Sequence, residues 1–175
     1  TRGQNKTEVV GVGKALVVNR RALAVIRGFV DEQGIHTTII SDMAHGLGLI
    51  GDHFQKPFEE GAEIVTGSTH KTFFGPQRGV IGVSYQPEDL KWSLWETMQT
   101  RTFPGSVSNH HLGTLLAELV SAYEMNAFKD EYQKNVSENA KWFAKCLAEE
   151  GMDVAGCAAD GYTETHQVIV KVGYS

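Results

Sequence analysis

The chain has 175 residues, 41% of them hydrophobic, with 16 basic and 21 acidic side chains and a formal charge of −5. That is enough apolar material for a domain-sized core, and an acidic balance with no Lys/Arg block excludes nucleic acid and anionic membranes as natural partners. Nothing approaches the roughly 20 apolar residues of a membrane span, the polar start TRGQNKTE is no signal peptide, and Cys146 and Cys157 have neither metal-ligand spacing nor a secreted framework, so a reducing cytoplasm is the expected compartment.

In chain order, the first segment is weakly patterned, with room for a strand between Glu8 and Val18. Gly11-Val12-Gly13-Lys14 imitates a phosphate loop, but Glu8 and Ala15 stand where that motif needs a glycine and a hydroxyl, so a loop with a surface lysine is expected. From Arg20 to Gln33, Leu23, Ile26 and Val30 repeat at helical spacing and Gly34 stands at the C-terminal cap position. A strand at Thr37 to Ile40 follows, which is the tail of a crossover unit and argues for parallel pairing. Gly46-Leu47-Gly48-Leu49-Ile50-Gly51 spells the dinucleotide pattern, yet four residues separate it from the strand and Pro57 follows closely, so a glycine loop is expected.

Phe58 to Ala62 is expected to be a short helix, Glu63 to Thr66 a second strand and Gly79 to Val83 a return strand. Pro87 to Met98 carries Leu90, Leu94 and Met98 at four-residue steps and reads as an amphipathic helix. After a break at Thr102 to Ser108, the stretch from Asn109 to Asn126 reads as a helix that is buried, in part at a subunit contact, and Asp130 to Glu150 as another, capped by Gly151. His166 to Val172 reads as a strand. Nothing repeats internally.

Chemistry collects at the ends of the first two strands. The run Thr37 to Ile40 leads into Asp42 and His45, and the run Glu63 to Thr66 leads into Ser68, Thr69, His70 and Lys71. Strands rich in Ile, Val and Thr that end this way set reactive groups at the carboxyl edge of a parallel sheet, where open α/β folds bind ligands. An amine and a carboxylate facing one crevice suit pyridoxal phosphate above other cofactors: the amine condenses with its aldehyde, and the carboxylate keeps its ring nitrogen protonated. Lys71 and Asp42 fill those roles. The seven histidines include no HxxxH or Cys/His pair, so no metal site is expected.

DMAH, STHKT, GPQRG and the stretch Phe103 to His111 (FPGSVSNHH) together resemble the active-site core of serine hydroxymethyltransferase, a fold-type I pyridoxal phosphate enzyme. The resemblance runs from about Asn19 onward. It implies a mainly parallel sheet flanked by helices, with residues 1–150 part of the large cofactor-binding domain and residues 151–175 the beginning of a small C-terminal α+β domain. It also implies an internal fragment, since members of the family carry chain before the DxAH strand and after the point matching Ser175.

The family's histidines at the cofactor ring match His45 and His70, and Ser68 stands where threonine is usual. The loop holding Gly105, Ser108 and Asn109 matches the one whose backbone amides reach the cofactor phosphate, often from the neighbouring subunit of a homodimer. The implied activity is cleavage or transfer at the Cα–Cβ bond of a β-hydroxy amino acid, as in serine and glycine hydroxymethyl transfer, with tetrahydrofolate left open. Gln77, where arginine is usual, and the pair Ser108-Asn109, where glycines are usual, also suit the threonine transaldolase branch, which exchanges the aldehyde without folate. A third reading is a non-catalytic piece that needs the rest of the chain or a partner subunit, because the family's general base and substrate-carboxylate arginine have no match here.

Overall fold

The computed structural model describes residues 8–13, 18–20 and 22–173. Its centre is a four-stranded sheet in the order β1 (Glu8–Val12), β2 (Thr37–Asp42), β3 (Ile64–His70) and β4 (Phe74–Val83). The first three strands are parallel and β4 returns antiparallel beside β3, the α/β architecture that the sequence implies. Both faces of β2 are covered: Thr37, Thr38, Ile39 and Ser41 are all buried, as befits an inner strand of a parallel sheet.

Helix α1 (Leu23–Glu32) ends where the sequence places its cap. Gly34 takes a φ of +63°, the Gly34 N–H donates to the Asp31 carbonyl and the Ile35 N–H to the Val30 carbonyl, the paired bonds that close a helix through a left-handed residue. Leu23 of α1 joins Ile39, Met43, Leu49, Phe54 and Val65 in the core. Each such side chain contributes about 1.5–3 kcal/mol on full burial. Just before β3, the Glu63 carboxylate accepts from Arg27 of α1, from the Tyr85 hydroxyl and from Lys91, so one acid ties helix, sheet and the chain leaving β4.

Several expectations are corrected. Residues 58–62 form hydrogen-bonded turns, not a helix, because Pro57 opens the segment and Gly61 at φ +97° closes it after one turn. Helix α2 (Trp92–Thr100) starts five residues after Pro87; the Asp89 carboxylate first accepts the Gln86 N–H in a turn, and Leu90 stands fully exposed. The two helices expected around Asn126 to Asp130 are one, α3 (Leu112–Glu149), since no glycine or proline interrupts that stretch.

In the first half of α3 the leucine-rich side is exposed, while Met125, Ala140 and Ala144 further along are buried. Leu115, Leu116, Leu119 and Tyr123 are exposed, whereas Glu118 and Met125 turn inward. The stretch 166–172 has only one antiparallel bridge, Val154 to Val170, because no further strand lies beside it among the described residues to extend a ladder. Lys14 of the phosphate-loop imitation lies outside the described residues.

Candidate functional site at the carboxyl edge of the sheet

Asp42 is the last residue of β2 and pairs in register with Thr66 of β3. Its Oδ1 accepts from the Thr66 hydroxyl at 3.1 Å and from the Ala44 N–H at 3.0 Å, so the carboxylate is held by the neighbouring strand and by the turn that follows it. Lys71 occupies the tight β3–β4 connection, one residue beyond the strand end. Its exposed Nζ lies 3.3 Å from His45 Nε2. The amine, the imidazole and the anchored acid therefore belong to two adjacent strand ends at the carboxyl edge, the ligand-binding position of open α/β sheets.

Thr72 joins the two loops. Its hydroxyl donates to the His45 carbonyl at 2.9 Å and accepts the Gly48 N–H at 3.1 Å. Gly48 is required there, because a Cβ at that position would come within 2.1 Å of the Thr72 carbonyl oxygen. Helix α3 fastens the junction from outside. The Tyr132 hydroxyl donates to the Thr72 carbonyl at 2.7 Å, its ring meets Phe74 edge-on at 5.2 Å, and the buried Gln133 amide donates to the carbonyls of Gly48 and Ile50. Burial pushes the Tyr132 hydroxyl above the ordinary tyrosine pKa. On the hairpin, the buried Thr69 hydroxyl donates to the Pro76 carbonyl at 2.6 Å and accepts the Arg78 N–H at 3.1 Å.

The remaining sequence-derived candidates are spread wider. Ser68 is half-buried beside the register shift in β3, and His70 is exposed at the strand end; among the described residues no hydrogen bond joins either side chain to Lys71 or His45. Gly105, Ser108 and Asn109 lie in the exposed stretch between α2 and α3. That stretch approaches the sheet through Phe103 and Val107, which line an open groove of about 870 Å³ together with Thr66, Arg78 and Trp95. Thr66 thus serves both the groove and the Asp42 carboxylate.

Sequence reasoning did not single out Thr66, Thr72, Tyr132, Gln133 or His166 for the site. Thr72 sits in the quoted STHKT, where a second hydroxyl beside the lysine was a usable signal; Tyr132 and Gln133 lie 60 or more residues away on a helix and only tertiary packing brings them in. No group of three or more metal-ligating side chains occurs among the described residues, and no helix there is long and apolar enough to cross a membrane.

A mixed α/β sheet with an amine, an imidazole and a braced carboxylate at its carboxyl edge is the class of scaffold on which open α/β proteins place small-molecule sites. The particular family follows from comparison with known proteins: the serine hydroxymethyltransferase family model matches residues 5–174, and the chain belongs to that family, whose fold is fold-type I. A serine hydroxymethyltransferase of Archaeoglobus fulgidus is 45% identical over 162 residues, covering 92% of this chain and 35% of the relative. One from Thermococcus gammatolerans is 46% identical over 140 residues, covering 77% and 31%, and one from Korarchaeum cryptofilum is 37% identical over 170 residues, covering 97% and 37%. The chain thus spans about a third of the length of these relatives.

Proposed function

We propose that this chain forms the cofactor-anchoring part of a pyridoxal phosphate enzyme that transfers the hydroxymethyl group between serine and glycine. The observation that carries the reading is the Lys71 amine 3.3 Å from His45 Nε2, with Asp42 held at the end of the adjacent strand. The donor set fits the group. Lys71 would hold the cofactor aldehyde, Asp42 the ring nitrogen, and the exposed backbone of Gly105, Ser108 and Asn109 the phosphate, with Ser68 and His70 as further neighbours. When bound, pyridoxal phosphate supplies an electron sink for the charge left as the Cα–Cβ bond breaks.

The chain's own residues prepare that chemistry. Thr66 and Ala44 hold one oxygen of Asp42, which fixes the carboxylate at a place where it would stabilise a protonated ring nitrogen. The tight turn at Lys71 limits the amine's freedom and so lowers the entropy lost in reaching a ligand. His45 stands within one hydrogen bond of the amine, close enough to take or return its proton. The exposed leucine-rich side of α3 supports a homodimer with a shared site or a cover from further chain. The division at residue 150 into large and small domains is retained in this reading.

The test is to add pyridoxal phosphate to the full-length protein and to its Lys71→Ala variant, and to assay serine cleavage with and without tetrahydrofolate. A yellow wild type, a colourless variant and folate-stimulated cleavage are expected. Aldehyde exchange on threonine without folate would instead establish the transaldolase reading, and a wild type that stays colourless would overturn both.

A further inference from the structure

Two imidazole nitrogens, His45 Nδ1 and His166 Nδ1, are buried without a hydrogen-bond partner among the described residues. Both histidines border the same small pocket, whose apolar wall is Met43, Leu49 and Phe54. It leaves about 10 Å³ for a water centre, close to the room one water needs. A buried polar nitrogen left unpaired is costly, and buried waters occur where two or more such groups converge. Among the described residues no other titratable side chain lines the pocket.

Lys71 sets the polarity of this pair. A lysine ammonium can only donate, so His45 Nε2 accepts at 3.3 Å and the proton of the neutral ring belongs on Nδ1, the atom in the interior. That N–H needs an acceptor. His166 offers one if its own proton is on Nε2, and the ring must be neutral to do so. Burial first, and the neighbouring His45 second, hold the His166 pKa below the ordinary histidine value.

We propose that His166 is a positioning residue for His45: its Nδ1 accepts, through one buried water, the proton that His45 carries on Nδ1, and this keeps His45 Nε2 an acceptor toward Lys71. Without that partner the interior N–H is left unpaired, which weakens the preference that Lys71 sets and lets an Nε2–H turn a donor against the amine. The chain segment after α3 thereby acts on the strand-edge site without touching the amine. The consequence for catalysis rests on the function proposed above, whereas the hydrogen-bond assignment does not.

The experiment reads the His45 tautomer in cofactor-free, full-length protein labelled with ¹⁵N-histidine, the signal being identified by its loss in His45→Gln. Wild type is expected to carry the proton on Nδ1. In His166→Leu the ratio of the Nδ1–H to the Nε2–H form should fall about tenfold, the worth of one buried hydrogen bond. His166→Asn, whose amide oxygen can accept in place of Nδ1, should restore most of it. A wild type protonated on Nε2, or a ratio unchanged in His166→Leu, overturns the proposal; the wild-type measurement does so even where the leucine variant does not fold. A protein that binds no pyridoxal phosphate but shows these tautomer shifts would sink the proposed function and leave this inference standing.

Discussion

Replacing Gln133 by leucine tests whether α3 governs the site from a distance. Gln133 is 3% exposed, and its amide donates to the carbonyls of Gly48 at 3.0 Å and Ile50 at 2.9 Å. Leucine fills nearly the same volume but leaves both oxygens without that donor. A buried carbonyl deprived of its partner costs about 1–3 kcal/mol, and the Ile50 carbonyl, which is only partly buried, costs about 0.5–1.5 kcal/mol. The added apolar burial returns about 1 kcal/mol, so a net loss of about 2 kcal/mol is expected. With a urea dependence of about 2 kcal/mol per molar, the midpoint falls by about 1 M. Amide exchange in the segment 43–51 should accelerate with it, since the bonds removed hold that loop. Gln133→Glu should be worse than Gln133→Leu, because a carboxylate faces two carbonyls with no proton to give. Urea unfolding with amide exchange reads both, and a leucine variant within 0.5 kcal/mol of wild type would refute the claim that Gln133 fastens the loop.

Gly48→Ala drives a methyl against the Thr72 backbone at 2.1 Å, so the loops must separate; a stability loss of about 3 kcal/mol or more, with weakened cofactor binding, is expected in denaturation and absorbance titrations. Tyr85 is buried beside Glu63, which pushes its pKa up to about 12. The unfolded chain therefore loses this proton first, so stability present below pH about 10 is lost as pH rises toward 12. Tyr85→Phe should flatten that alkaline limb in unfolding experiments at stepped pH, with Tyr132, raised in the same direction by burial, still contributing. Lys71→Arg keeps a cation and a donor toward His45 but cannot attach to an aldehyde; its cofactor-free form should lie within about 0.5 kcal/mol of wild type while the yellow colour is abolished, and a coloured arginine variant would remove Lys71 from the assigned role.

Legibility in the sequence followed the range of the interactions. The cap at Gly34 and the strands β2 and β3 are written in local pattern, because backbone preference and side-chain alternation act within a few residues. The split expected near Phe128 is absent for a local reason too, since no residue there opposes helix. The helix from Asn109 differs in another way: its leucine-rich side reads as buried, yet among the described residues no surface covers Leu115, Leu116 or Leu119, and a subunit contact is left to cover it. His166 was read as part of a strand, and its polar atom gains meaning only beside His45.

By itself the sequence determined the α/β class, the two strand ends and the residue types gathered there, because hydrophobic period and motif spacing are properties of the chain before it folds. The tertiary structure alone decided which groups meet: His45 against Lys71, Thr72 across to Gly48, Gln133 onto the same loop, and His166 behind His45. Contacts between residues tens of positions apart depend on the three-dimensional path of the backbone, and a few tenths of an ångström separate a hydrogen bond from none. Composition and pattern do not carry that information.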